Sequence, residues 1–244
     1  MLRAIATVLL IASLAACKSH PPTVDLPPPV IRSIALIPAT NPFWFSFENS
    51  SPPVGYPFQY WVNKVDSHSK ARRFNDALKA QDSKLGDAFT QAVVSKLREH
   101  GFTVEILEDV QRVPDDPDNV EYEKIKTHAD AIVHIRLSEI GMWSSRLSTK
   151  YIPRVNAAGT LWANGREDSI YSDEVDYGVD AKKGKASSIL PDPKFSYGSF
   201  DEVMSHVPEI QESFDTGVKL VAERISQQII DSARPYEPAS RSSP

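Results

Sequence analysis

Hydrophobic residues along this chain change their period several times, and each change marks a new element. Ile31 to Pro38 is a short apolar run closed by a proline, which reads as a first core strand. From about Arg72 the spacing turns helical, with Phe74, Leu78, Leu85, Ala88, Phe89, Ala92, Val93 and Leu97 at three- and four-residue steps. Asp82-Ser83 could cap a break, giving one long helix or two, and Gly101 after His100 is a stop. Thr103 to Leu107 is a second strand, close enough behind the helix to suggest a β-α-β unit. Asp118 and Glu121 have the spacing of an N-cap and its capping-box partner, predicting a short helix that carries Tyr122 and Ile125. Ala131 to Gly141 alternates, with Ala131, Val133, Ile135 and Leu137 on one side and His134, Arg136 and Ser138 on the other. Val155 to Ala163 and Tyr171 to Val179 also alternate around Gly165-Arg166-Glu167-Asp168, an antiparallel hairpin. Pro208 opens a last helix whose stripe is Ile210, Phe214, Val218, Val221, Ile225 and Ile229.

That order is β-α-β-α-β, followed by a hairpin and a C-terminal helix. Crossovers of the parallel type come first and an antiparallel hairpin afterwards. The prediction is an α/β fold of α+β kind, with helices packed on a mixed sheet in a single domain over 31–234. Residues 235–244 read as a loose, disordered tail.

Residues 39–70 interrupt this plan as an aromatic, proline-rich insert. Asn41 to Trp61 holds Phe43, Trp44, Phe45, Phe47, Tyr56, Phe58, Tyr60 and Trp61 without a helical period. One reading is a flap whose rings cover an end of the core. The other is an exposed surface for a protein or a lipid, because interfaces enrich aromatic side chains. A sugar-stacking groove is a third.

Residues 1–16 have the parts of an export signal: Arg3, an apolar run from Ala4 to Leu14, then Ala15-Ala16. The run is too short to span a bilayer, which takes about 20 apolar residues. Leu14-Ala15-Ala16-Cys17 resembles the lipobox of bacterial lipoproteins. That resemblance implies cleavage before Cys17 and fatty acylation of that residue, with attachment to the membrane through the lipid. Lys18, where inner-membrane retention would have Asp, implies the periplasmic face of the outer membrane. Lys18 to Val30 carries five prolines and reads as an extended tether of roughly 40 Å.

Cys17 is the only cysteine, so no disulfide is available and the fold must hold by its apolar core. Loss of Arg3 with the signal leaves 26 basic against 32 acidic side chains in about 228 residues. An acidic balance without a basic block argues against nucleic acid as a partner.

Three stretches point to a family. They are Ile34-Ala35-Leu36-Ile37-Pro38, the helix from Leu85 to Gly101 running into Phe102-Thr103-Val104, and His128-Ala129-Asp130-Ala131-Ile132-Val133. The last resembles the Ala-Asp-Ala start of a core strand in envelope proteins such as the TolB amino-terminal domain, the curli secretion lipoprotein CsgG and the penicillin-binding-protein activator LpoB. The resemblance implies a non-enzymatic accessory or assembly protein whose partner is another envelope protein or further copies of itself. The aromatic insert departs from those proteins, and no binding residue carries over.

Motifs for chemistry are missing: there is no Gly-x-Ser-x-Gly elbow, no phosphate-cradling glycine loop and no His-Glu-x-x-His. Asp66-Ser67-His68 holds triad residue types at adjacent positions, which triad geometry does not use. His128 and His134 are six apart with no second pair at metal spacing. Asp115, Asp116, Asp118, Glu121 and Glu123 lack the mid-loop glycine and terminal glutamate of a calcium loop. The expectation is no enzyme, no cofactor and no metal. A secretion-channel subunit using the Val155–Val179 hairpin, and a periplasmic hydrolase, are the alternatives.

Overall fold

The computed structural model describes residues 30–49, 57–114, 116–144, 150–166 and 168–233, with side chains from 68 onward in the first helix. Cys17, the tether through residue 29, Tyr56 and the tail lie outside them. A mixed sheet of seven strands runs in the order β3-β1-β6-β7-β8-β9, with β2 pairing separately along β6. The strands are β1 (Ser33–Ile37), β2 (Ser46–Asn49), β3 (Thr103–Ile106), β6 (Ala131–Ser144), β7 (Tyr151–Ala163), β8 (Ser169–Gly178) and β9 (Ser188–Ile189). A separate pair, β4 (Arg112–Val113) and β5 (Asp116–Val120), lies between β3 and β6. The helices are α1 (Pro57–Leu78), α2 (Leu85–Glu99), α3 (Phe200–Ser205) and α4 (Val207–Ala233). The fold is the expected one: helices on a mixed sheet.

β1, α2 and β3 make a parallel crossover, and β1 also pairs in parallel with the start of β6. Asp130, just before β6, holds this junction: its carboxylate accepts the Arg32 and Ser33 amides and the Ser33 hydroxyl. Those three bonds favour the ionised acid and lower its pKa. One face of the sheet is sealed by two helices that pack on each other, α2 over β3 and β6 and α4 over β7 and β8. The α4 residues Ile210, Phe214, Val218, Val221, Ile225 and Ile229 are all buried there. Each such side chain contributes about 2 kcal/mol against exposure.

Three sequence expectations are corrected. Helical structure begins at Pro57 rather than Arg72 and breaks at Lys79, whose φ of 50° is left-handed. The described part of α1 buries only Phe74, Asn75 and Leu78, too narrow a stripe to announce a long amphipathic helix. Asp118 does not cap a helix. It lies in β5 and accepts a hydrogen bond from the Thr40 hydroxyl, leaving only a 3-10 turn at Tyr122–Lys124. The alternation in β6 reverses partway. Leu137 pairs with Ala157 and Glu139 with Asn156, so Ser138 is an extra, bulged residue. Before it the odd positions face the helices; after it Ile140, Met142 and Ser144 do.

Candidate functional site

β6 is long enough for β1 to pair with one end (131–134) and β2 with the other (141–144). The chain between them, residues 38–45, bridges the bulged middle of β6, and it is fastened at nearly every step. The Pro38 carbonyl accepts from Arg112 Nη2 at 2.8 Å. The Ala39 amide donates to Thr90 Oγ1 at 3.1 Å. The Thr40 carbonyl sits against the backbone of Gly86, where a Cβ would come within 2.2 Å of the oxygen. Asn41 Oδ1 accepts the Asp87 amide at 3.0 Å, satisfying a free donor in the first turn of α2. Asn75, buried on α1, takes the Phe45 amide at 2.6 Å and returns a bond to the Phe45 carbonyl at 2.9 Å.

Between Asn41 and Phe45 two large rings face solvent. Phe43 is 73 % exposed and Trp44 is 48 % exposed. Phe45 and Phe47 correct the sequence reading that grouped them with this surface, because both are buried. Phe45 packs 5.3 Å from Phe214, and Phe47 stacks on Tyr151 at 4.7 Å with Phe74 and Phe200 around it. Tyr56 lies outside the described residues, as do the side chains of Phe58, Tyr60 and Trp61. A cleft of about 330 Å³ opens at Phe45 and Phe214, between the α1–α2 turn and α4. Lys79, Lys84 and Asp215 also line it, and burial raises the Asp215 pKa.

The two histidines weighed for metal binding do not gather, and Asp115 and the side chains of Asp66 and Ser67 lie outside the described residues. His128 is exposed, whereas His134 is buried beneath Tyr122. Ser205 Oγ and His206 Nδ1 are 3.0 Å apart, but both also bond the Glu202 carbonyl at the end of α3. Among the described residues no three His, Cys, Asp or Glu are placed to hold a metal ion. The β7–β8 hairpin has its apolar row (Val155, Ala157, Leu161, Val175, Tyr177) buried in the core that α4 covers, so those residues do not face lipid. On the other side of the sheet, Arg154 lies 3.9 Å over the Trp143 ring and is paired with Glu139 and Asp180. No described helix is long and apolar enough to cross a membrane.

No protein family model and no curated protein matches the chain. Among solved structures, lipoprotein GNA1162 from Neisseria meningitidis is 14 % identical with a TM-score of 0.31, covering 62 % of this chain and 88 % of its own. The hypothetical protein CT253 from Chlamydia trachomatis is 11 % identical with a TM-score of 0.31, covering 81 % and 96 %. Likeness at that level says nothing about what this chain does.

Proposed function

We propose that this is an exported, lipid-anchored lipoprotein at the periplasmic face of the outer membrane, and that it docks onto another envelope protein rather than catalysing a reaction. The docking half rests on one observation, the fastened display of Phe43 and Trp44. Rings on a slack loop would have to be ordered on binding, at a cost of about 0.5–1.5 kcal/mol per side chain besides the backbone. Here the backbone on both sides is already fixed by Thr90, Asn41 and Asn75. Binding would then pay mainly for two rotamers while burying two of the residue types that anchor interfaces.

The anchoring half rests on Cys17 and its flanking residues. A single acyl chain gives marginal attachment, whereas several on one residue hold a protein at the bilayer. Cys17→Ser should therefore move the chain from the membrane pellet to the soluble fraction of broken cells. Continued pelleting with membranes would remove the lipid anchor from the account. Docking is tested separately, by photo-crosslinking in living cells from positions 43 and 44.

A further inference from the structure

The segment between β3 and β6 lies against the sheet face opposite the helices. On β1, Ile34 and Leu36 belong to the helix-covered core, so Ala35 and Ile37 point the other way, yet both are fully buried. His134 is the register neighbour of Ile37 on β6 and is 2 % exposed. Tyr122, in the 3-10 turn of the crossing segment, covers it. Its hydroxyl is 2.7 Å from His134 Nδ1, and its ring packs 5.2 Å from Trp162. The second imidazole nitrogen, Nε2, is buried with no hydrogen-bond partner among the described residues.

The charged groups acting on this ring are both cations, Arg136 on its own strand and Arg112 on β4. Thr160 pairs with it from β7 and is neutral. Two acids of the crossing segment are engaged elsewhere, Asp118 with the Thr40 hydroxyl and Glu121 with Lys124. The cover forms no strand pairing with the sheet: β4 and β5 pair only with each other. Besides the Tyr122–His134 contact, the β4–β5 pair is tied across by two side-chain bonds, Arg112 to the Pro38 carbonyl and the Thr40 hydroxyl to Asp118. A cleft of about 410 Å³ separates its own two arms, residues 106–111 and 121–126.

We propose that residues 107–129 form an acid-released flap, latched by the Tyr122–His134 contact, whose opening uncovers Ala35, Ile37 and Trp162. A neutral imidazole can accept the Tyr122 proton at Nδ1. A protonated one cannot, and its charge would sit buried beside two guanidinium groups. Burial first, then Arg136 and Arg112, hold the closed-state pKa at about 3 against an ordinary 6.5. The open flap returns His134 to water, where it takes up the proton that the closed form refuses. Closure is therefore strongest above the ordinary value and weakens as pH falls from there towards the closed-state value. Between pH 7 and pH 4 the open fraction should rise on the order of 100-fold.

Hydrogen exchange of the full chain at the two pH values, corrected for intrinsic rates, tests this. Peptides covering 111–124 should gain on the order of 100-fold in opening at pH 4 while those covering α4 do not. His134→Gln, which keeps a polar side chain but cannot carry the charge, should abolish the response. An unchanged flap at pH 4, or the same response in His134→Gln, would overturn the proposal. Should that variant not fold, proton titration of the imidazole in the natural chain decides. A midpoint well below the ordinary histidine value agrees, and a midpoint at or above it overturns the latch.

Discussion

Gly86→Ala should destabilise the protein by about 2–3 kcal/mol, the cost of overpacking a well-filled site. The sign is the informative part. Gly86 is the second residue of α2, and an alanine in a helix ordinarily stabilises by about 0.5–1 kcal/mol over glycine. Here the added methyl would lie 2.2 Å from the Thr40 carbonyl oxygen and 2.8 Å from the Asn41 nitrogen, both backbone atoms that cannot rotate away. The bridging chain must lift off α2. The Asn41–Asp87 cap goes with it, and Phe43 and Trp44 lose their fixed place. For a domain of about 200 residues the unfolding midpoint should fall by roughly 5–10 °C. A midpoint equal to or above that of the natural chain would mean that residues 38–45 are not seated as described.

Gly178→Ala should cost more, about 3–4 kcal/mol, because two independent penalties meet there. Its φ of 97° lies in the region that side chains avoid, and a Cβ would come within 1.8 Å of the Pro153 carbonyl. That carbonyl also accepts the Val179 amide, and Asp180 just beyond is gripped by Arg154. The substitution therefore loosens the end of β8 and the Arg154 pairing together. Gly165→Ala is the matched control. Its φ of 77° is equally unsuited to alanine, but nothing lies within 4 Å of the added methyl. Only the conformational cost remains there, about 1 kcal/mol. Thermal or denaturant unfolding of the two variants side by side separates steric overlap from backbone strain.

Much of this fold was legible because burial follows period. The α4 stripe reads directly off the three- and four-residue spacing, and the odd positions of β6 up to Leu137 fall on the helix-covered face as their alternation predicts. What the pattern could not show is where a tertiary partner changes the rule. Ser138 bulges out of β6 and reverses the parity of all later positions, yet nothing in Leu137-Ser138-Glu139 distinguishes it from an ordinary polar pair. Asp118 and Glu121 satisfy a capping spacing, but Asp118 is taken by a hydroxyl 78 residues away.

The candidate site was half legible for the same reason. Phe43, Trp44, Phe45 and Phe47 are alike as residues in a proline-rich stretch. Their fates are set by Asn75, which pairs with the Phe45 backbone, and by Gly86, which lets Thr40 approach α2. Neither signal lies in the aromatic stretch itself. His134, read as a polar strand-face residue, is buried because Tyr122 closes over it, another long-range event.

The most direct measurement is in-cell photo-crosslinking from three positions: 43, 44 and, as a control, 190. Leu190 is 59 % exposed and follows β9, at the other edge of the sheet, so it reports chance encounters. A docking surface at the fastened rings predicts one discrete adduct of the same mass from 43 and 44, absent from 190 and lost when Gly86→Ala is added. No adduct from either ring position, or the same adducts from Leu190, would contradict it.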